Sequence, residues 1–153
     1  SPDGPCLALE NMAVMGQHIG AKFDELGDIL AAVGSSRLKI CLDTHHSFAA
    51  GYDLTNPHVI QAMPDELDVG PGSANVAVVH ANDSKRVCGS WVDRHDNIGD
   101  GFIGEEGFAA IMTNPAFADV PFFLEVPGFE GKGPDQKNIG ILKKIRQQVR
   151  LSS

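Results

Sequence analysis

Short apolar runs that close on an ionisable residue recur four times along this chain. C-L-A-L ends on Glu10, L-K-I-C-L on Asp43, A-V-V on His80 and P-F-F-L on Glu125. Continuous runs of this length predict parallel strands covered on both faces, at residues 6–10, 38–43, 76–80 and 121–125. Helical spacing fills the gaps between them. Ile19, Phe23, Leu26, Leu30 and Val33 predict a helix over residues 19–33, stopped by Gly34-Ser35-Ser36. A long loop over residues 44–57 precedes a short helix near 59–63. A second long loop runs from His80 to Gly104, and a helix over 105–112 follows. Ile139, Leu142, Ile145 and Val149 share one face of a final helix over 136–149, whose last turns are basic.

Strand and helix alternate, which is the α/β class. No linker divides residues 1–153, and no internal repeat stands out beyond the alternation. Four β/α units are half of a β/α (TIM) barrel, since a complete barrel needs ~250 residues. An open flavodoxin-like sheet is the alternative at this length. The barrel ranks first because ligand-type residues end all four strands instead of clustering at one switch point. The chain opens on Ser1 and runs directly into a strand, as a fragment or processed product would.

Composition narrows the picture a little. The chain has 153 residues, 42% hydrophobic and 21% charged, which suits a globular core. No apolar run reaches the ~18 residues of a membrane span, and no secretory signal is visible. Cys6, Cys41 and Cys88 are scattered and odd in number, which fits a reducing intracellular compartment. Cys6 and Cys41 read as buried small residues inside strands. The net charge of −8 argues mildly against a broad basic nucleic-acid face. Two bound divalent cations would halve it, and the field at the site would follow the ions, not the pI.

The candidate chemistry lies at the strand ends. In a parallel barrel, Glu10, Asp43, His80 and Glu125 converge on one small volume. Each alone is as well read as a helix cap or a solvent contact. Four such groups together would repel or desolvate one another without a cation. Zinc or a similar divalent metal suits carboxylate and imidazole at this density. His46, Asp93 and His95 form a second cluster, because Asp93 and His95 are two apart and share a face if extended. His45 competes with His46, and the pattern leaves that choice open. His18 reads as a solvent-facing loop residue and His58 as structural. Lys85, Arg86 and Arg94 are the basic residues near the proposed mouth and could hold phosphate. One Trp and one Tyr make a poor stacking platform for single strands.

The residues resemble a known family. C-L-D-T-H-H-S-F-A-A-G-Y-D (41–53) is similar to the D-T-C-H-x-F-A-A-G-Y-D signature of the endonuclease IV family of apurinic/apyrimidinic endonucleases. H-A-N-D-S-K (80–85), G-S-W-V-D-R-H-D-N-I-G-D-G-F-I-G (89–104), F-L-E-V-P-G (123–128) and L-E-N-M-A-V-M-G (9–16) resemble its other motifs. The motifs are ordered and span nearly the whole chain. The resemblance implies a barrel of the xylose-isomerase-like type and covers its C-terminal half. It implies a zinc-dependent DNA-repair enzyme of base excision repair, hydrolysing the phosphodiester 5′ to an abasic site in double-stranded DNA. By resemblance, Glu10, Asp43, His80 and Glu125 hold one zinc, and His46, Asp93 and His95 another. Glu10 reaches a third, whose two histidines belong to barrel strands with no counterpart here. Glu10 or Glu125 orients or deprotonates the attacking water, and Lys85 and Arg94 contact DNA. The complete enzyme is expected to be monomeric, cytoplasmic if bacterial and nuclear or mitochondrial if eukaryotic. His45 stands where the family has Cys, Met12 where it has Thr, Val14 where it has Gly, and Val126 where it has Thr. Sugar isomerases and epimerases on similar barrels offer a second reading, since they need only the Glu10, Asp43, His80 and Glu125 set. An inactive metal-binding half-barrel is a third.

Overall fold

A computed structural model describes residues 4–13 and 18–152. Residues 14–16 of the first motif, including Val14, lie outside the described residues. The four strong apolar runs form one parallel sheet: β1 (Leu7–Glu10), β2 (Leu38–Asp43), β3 (Val76–His80) and, last in chain order, β6 (Phe122–Phe123). They lie in the order β1-β2-β3-β6, so each crossover returns beside the strand before it. The helices α1 (Phe23–Val33), α3 (Pro57–Val69), α4 (Gly104–Thr113) and α5 (Gln136–Ser152) are its crossover layer. Ile40, Leu42 and Val79 from the sheet meet Phe23, Leu26, Met63, Leu67, Phe108 and Ile145 in one continuous core. This is the α/β half-barrel that the alternation predicts.

Register positions the site. Ile40 pairs with Val76 but Cys41 with Val78, so a bulge skips Ala77. Without that bulge Asp43 would lie opposite Val79. With it Asp43 lies opposite His80 on the same face.

Several expected boundaries differ. The segment after Asp43 is not a loop throughout. Residues Thr44–Ala50 form a helix, α2, because the Asp43 carboxylate accepts the His46 N–H at 2.7 Å. Gly51, at φ 113°, closes that helix in a conformation that L side chains rarely adopt. The helix expected to end at Met63 continues through Pro64 to Val69. Ile60, Met63 and Leu67 are buried on both sides of the proline, and their packing outweighs the lost hydrogen bond. The first helix starts at Phe23, not at Ile19, which is 69% exposed beyond a turn at Gly20. Cys6 is exposed and precedes β1, so only Cys41 behaves as the buried small residue expected of both. The sheet is not covered on both faces either. Leu7, Ala77 and Phe123 are exposed, because no described residue packs over them.

The long loop after β3 carries a two-stranded antiparallel ladder, β4 (Asp83–Ser84) with β5 (His95–Asp96). Asp83 organises the far end of that loop. Its buried carboxylate accepts N–H groups from Ser84, Gly99, Gly101, Ile103 and Gly104 at 2.8 to 3.4 Å. That fixes the turn and satisfies the open start of α4. Gly101 passes so close that any Cβ there would collide with the Asp83 carboxylate. Asn138 on α5 completes the support by accepting the Ile98 N–H and donating to Asn97.

This architecture has two measurable consequences. Asp83→Asn turns an amide NH2 toward backbone donors and should lower the unfolding free energy by about 2–3 kcal/mol, read from urea denaturation. An unchanged midpoint would show that the 99–104 turn holds itself. β1 and β6 each pair on one side only, so both present an open strand edge. The isolated chain should therefore self-associate, which light scattering across a concentration series measures. A monomer at all concentrations would show those edges to be protected.

Candidate metal centre

All four strand-end residues meet. Ligand atoms of Glu10, Asp43, His80 and Glu125 lie within 4.8 Å of one another. His80 Nδ1 is 3.0 Å from Glu10 Oε1, 3.1 Å from Glu125 Oε2 and 4.0 Å from Asp43 Oδ2. The sheet register accounts for the pair at its centre, since Asp43 and His80 are cross-strand partners.

Two asparagines aim the carboxylates, and sequence reading passed over both. Asn11 Oδ1 accepts the Asp43 N–H at 2.7 Å, and its amide donates to the Asp43 carbonyl and to Ser47. Asn82 donates to Asp43 Oδ2 at 2.6 Å and accepts the Glu125 N–H at 2.8 Å. Both are fully buried. Their signal was positional: Asn11 directly follows Glu10, and Asn82 stands two residues after His80. Cys41 is the third residue missed. Its sulfur forms a compact donor group with Glu10 and His80. Burial pushes that thiol up, against the pull of His80.

A second cluster borders the first. His46 Nδ1 lies 2.8 Å from the Asn11 carbonyl, which fixes Nδ1 as the protonated nitrogen and leaves Nε2 with a free lone pair. That Nε2 is 3.6 Å from Asp93 Oδ2. His95 Nε2 is 3.4 Å from Asp93 Oδ1, while its Nδ1 faces the Glu125 carbonyl at 3.3 Å. The structure thus brings His46, Asp93 and His95 together, with one refinement. Donor atoms of Asp43, His46 and His95 all lie within 4.8 Å of one another, as do those of Asp93, His45 and His95. Asp43 therefore borders both clusters, which the strand pattern does not reveal.

The electrostatics describe a site short of positive charge. Burial pushes the Asp43 carboxyl up to about 6, against the pull of His46. The Cys41 sulfur and the Glu10 carboxylate push His80 up to about 11. Burial alone would raise Glu10, but its contacts with His80 and His46 outweigh that and hold it low. His80 thus keeps a proton among carboxylates that a cation would neutralise in its place. His95 Nε2 is a buried polar atom with no hydrogen-bond partner among the described residues. An orphaned imidazole nitrogen beside a carboxylate, with its other nitrogen held by a carbonyl, suits a divalent metal, and the donor set of imidazole and carboxylate fits zinc.

Most of the remaining candidates fall outside the clusters. Lys85 and Arg94 are exposed and adjacent, joined by a Lys85 N–H to Arg94 carbonyl bond of 3.0 Å. Arg86 is exposed nearby. Asp96 belongs to none of these groups and accepts the N–H of its neighbour Asn97. His18 and His58 are exposed, and His58 sits in the first turn of α3. His45 is different in kind. It is fully buried, and its Nε2 accepts the Arg94 N–H at 2.9 Å. Burial, then His95 and His46, press its pKa down to about 4, so the ring is neutral. Using Nε2 for a metal would strand that N–H, at a cost of about 1–3 kcal/mol.

No described helix is long and apolar enough to cross a membrane. Residues 2–145 match the family model described as xylose isomerase-like TIM barrel. A protein named "Probable endonuclease 4" from Halothermothrix orenii is 41% identical over 143 residues, covering 93% of this chain and 51% of its own length. Among solved structures, endonuclease IV from Thermus thermophilus superposes with a TM-score of 0.79 at 34% identity, over 97% of this chain and 51% of that one. A D-tagatose 3-epimerase-like protein shares the fold, with a TM-score of 0.71 at 22% identity, over 96% and 49%. The chain spans about half the length of the curated relatives it matches. The matched family model and the shared half-barrel together place the chain: it belongs to the xylose isomerase-like TIM-barrel family.

Proposed function

We propose that this chain is the metal-binding half of an apurinic/apyrimidinic endonuclease of base excision repair, hydrolysing the phosphodiester 5′ to abasic sites in double-stranded DNA and leaving a 3′-hydroxyl. The observation that carries this reading is the second cluster. An isomerase or epimerase is served by Glu10, Asp43, His80 and Glu125 alone, and has no use for His46, Asp93 and the orphaned Nε2 of His95. Zinc supplies Lewis acidity and a lowered pKa for water when it is bound.

This chain's own residues would divide the work. Glu10, Asp43, His80 and Glu125 hold one ion, and His46, Asp93 and His95 a second, with Asp43 on the border between them. Glu10 also faces a third position, whose remaining ligands lie outside this chain. Asn11 and Asn82 orient Asp43. Glu125, the most exposed of the first set at 48%, is the better placed of the two glutamates to take a proton from water beside a substrate. Glu10, at 29% and facing both His80 and His46, is committed more to holding than to proton transfer. Lys85 and Arg94 flank the site just beyond the β4–β5 ladder and would meet the DNA backbone as point charges, positioning it without reading sequence. The reading carries an intracellular location with it, as abasic DNA requires.

Elemental analysis of zinc-loaded chain should show about two ions per chain, the third being weak for want of its ligands, as metal-site occupancy requires of incomplete donor sets. Zinc at background level would sink the reading. Supplementing the chain with the other half-barrel of a full-length relative should yield incision of a duplex carrying one abasic site. There His95→Ala should cut incision by ~10², the scale of losing one transition-state stabiliser. Unaltered incision, or turnover of a ketose by the parent protein, would favour the isomerase reading.

A further inference from the structure

We propose that His45 is a positioning residue and not a metal ligand: one hydrogen bond from its ring sets the Asp93–Arg94–His95 segment in register for the second ion. The inference rests on the metal reading above. His45, Asp93 and His95 present donor atoms within 4.8 Å of one another, so proximity alone would make His45 a ligand. The hydrogen bonding argues otherwise. Nε2 of His45 accepts the Arg94 backbone N–H at 2.9 Å, and an imidazole nitrogen has a single lone pair to give. The ring is fully buried, so no water can take over that acceptor role.

The same imidazole touches both ligands that flank Arg94. Asp93 Oδ1 lies 3.4 Å from its Nε2, and the His95 ring meets it edge-on with centroids 4.9 Å apart. On the other side of the peptide, the Arg94 carbonyl accepts the Lys85 N–H at 3.0 Å. The Arg94 N–H and C=O are therefore both held. Arg94 is exposed while Asp93 and His95 are half-buried beside the site, which is the alternation of an extended segment. β5 starts only at His95, so strand pairing does not by itself fix Asp93. The buried ring supplies that constraint from α2, one residue before His46. Helix α2 thus contributes a ligand through His46 and the aim of two others through His45.

An amide separates the two roles. Glutamine reaches about as far as the distal imidazole nitrogen and accepts an N–H through its oxygen, but it is not among the ordinary zinc ligands. The test compares the parent chain with His45→Gln, His45→Leu and His95→Ala. It reads zinc affinity at each site, the visible spectrum of the cobalt(II)-loaded chain, and amide hydrogen exchange at Arg94 without metal. His45→Gln should keep the second ion, the cobalt spectrum and a protected Arg94 amide. His45→Leu should weaken the second ion about 10–100-fold, the range for losing an outer-shell partner, and expose the Arg94 amide. It should leave the ion at Glu10, Asp43, His80 and Glu125 in place, which also shows that the variant is folded. If His45→Gln loses the second ion as completely as His95→Ala, His45 is a ligand and the proposal is wrong. If His45→Leu binds like the parent with Arg94 still protected, the ring positions nothing. A parent chain that binds no second ion while its Arg94 amide stays protected would instead overturn the metal reading itself.

Discussion

Burial of the Asp43 carboxylate is the constraint around which the site is built. A charged group with no exposed surface must be fully hydrogen-bonded or matched by opposite charge. Asp43 obtains its partners from three directions. It caps α2 through the His46 N–H, receives the Asn82 amide from the segment after β3, and has its own backbone held by Asn11 after β1. One residue therefore ties three strand ends together. The same contacts decide where His46 starts, how Asn82 is turned and, through the Asn82 oxygen, where Glu125 leaves β6. Those bonds do not remove the electrostatic deficit, since the carboxyl still titrates near 6. A divalent ion would resolve what hydrogen bonding leaves over.

Asp83 plays the complementary part for structure. It is as deeply buried, but its partners are backbone N–H groups of one turn, so its charge is spent on folding a loop. Two aspartates forty residues apart look alike in composition and do opposite things. The difference is what surrounds each: Asp43 faces imidazoles and carboxylates, Asp83 faces amides. This is why the 83–104 segment, long and rich in glycine, can deliver Asp93 and His95 with sub-ångström demands on their placement. It is anchored at Asp83, at the β4–β5 ladder and at His45.

Among the described residues the half-barrel leaves a sheet with two open edges and part of one face uncovered, while groups of His, Asp and Glu that could hold a metal still gather within it. That separation has a physical basis. Strand-end residues gather because neighbouring strands are in register, which needs only the four strands present. Covering the inner face of the sheet and closing its edges requires further strands, as a closed barrel does.

The sequence alone determined the α/β alternation, the four strands and the grouping of Glu10, Asp43, His80 and Glu125. Continuous apolar runs and helical spacing are local properties, and ionisable residues at the ends of parallel strands must converge. It also linked Asp93 with His95, because a spacing of two is a statement about one extended segment. The long motifs carried the family. Tertiary structure decided the rest. α2 exists because Asp43 caps it, and α3 outlasts Pro64 because three buried side chains hold it. The bulge that brings Asp43 opposite His80 leaves no mark in composition. Asn11, Asn82 and Cys41 joined the site only through contacts made across strands, and the rivalry between His45 and His46 was invisible in adjacent letters. Folding separates the two by which nitrogen meets which backbone group: the His46 Nδ1 faces the Asn11 carbonyl, whereas the His45 Nε2 accepts the Arg94 N–H. Those partners are distant in sequence, and only folding brings them within reach.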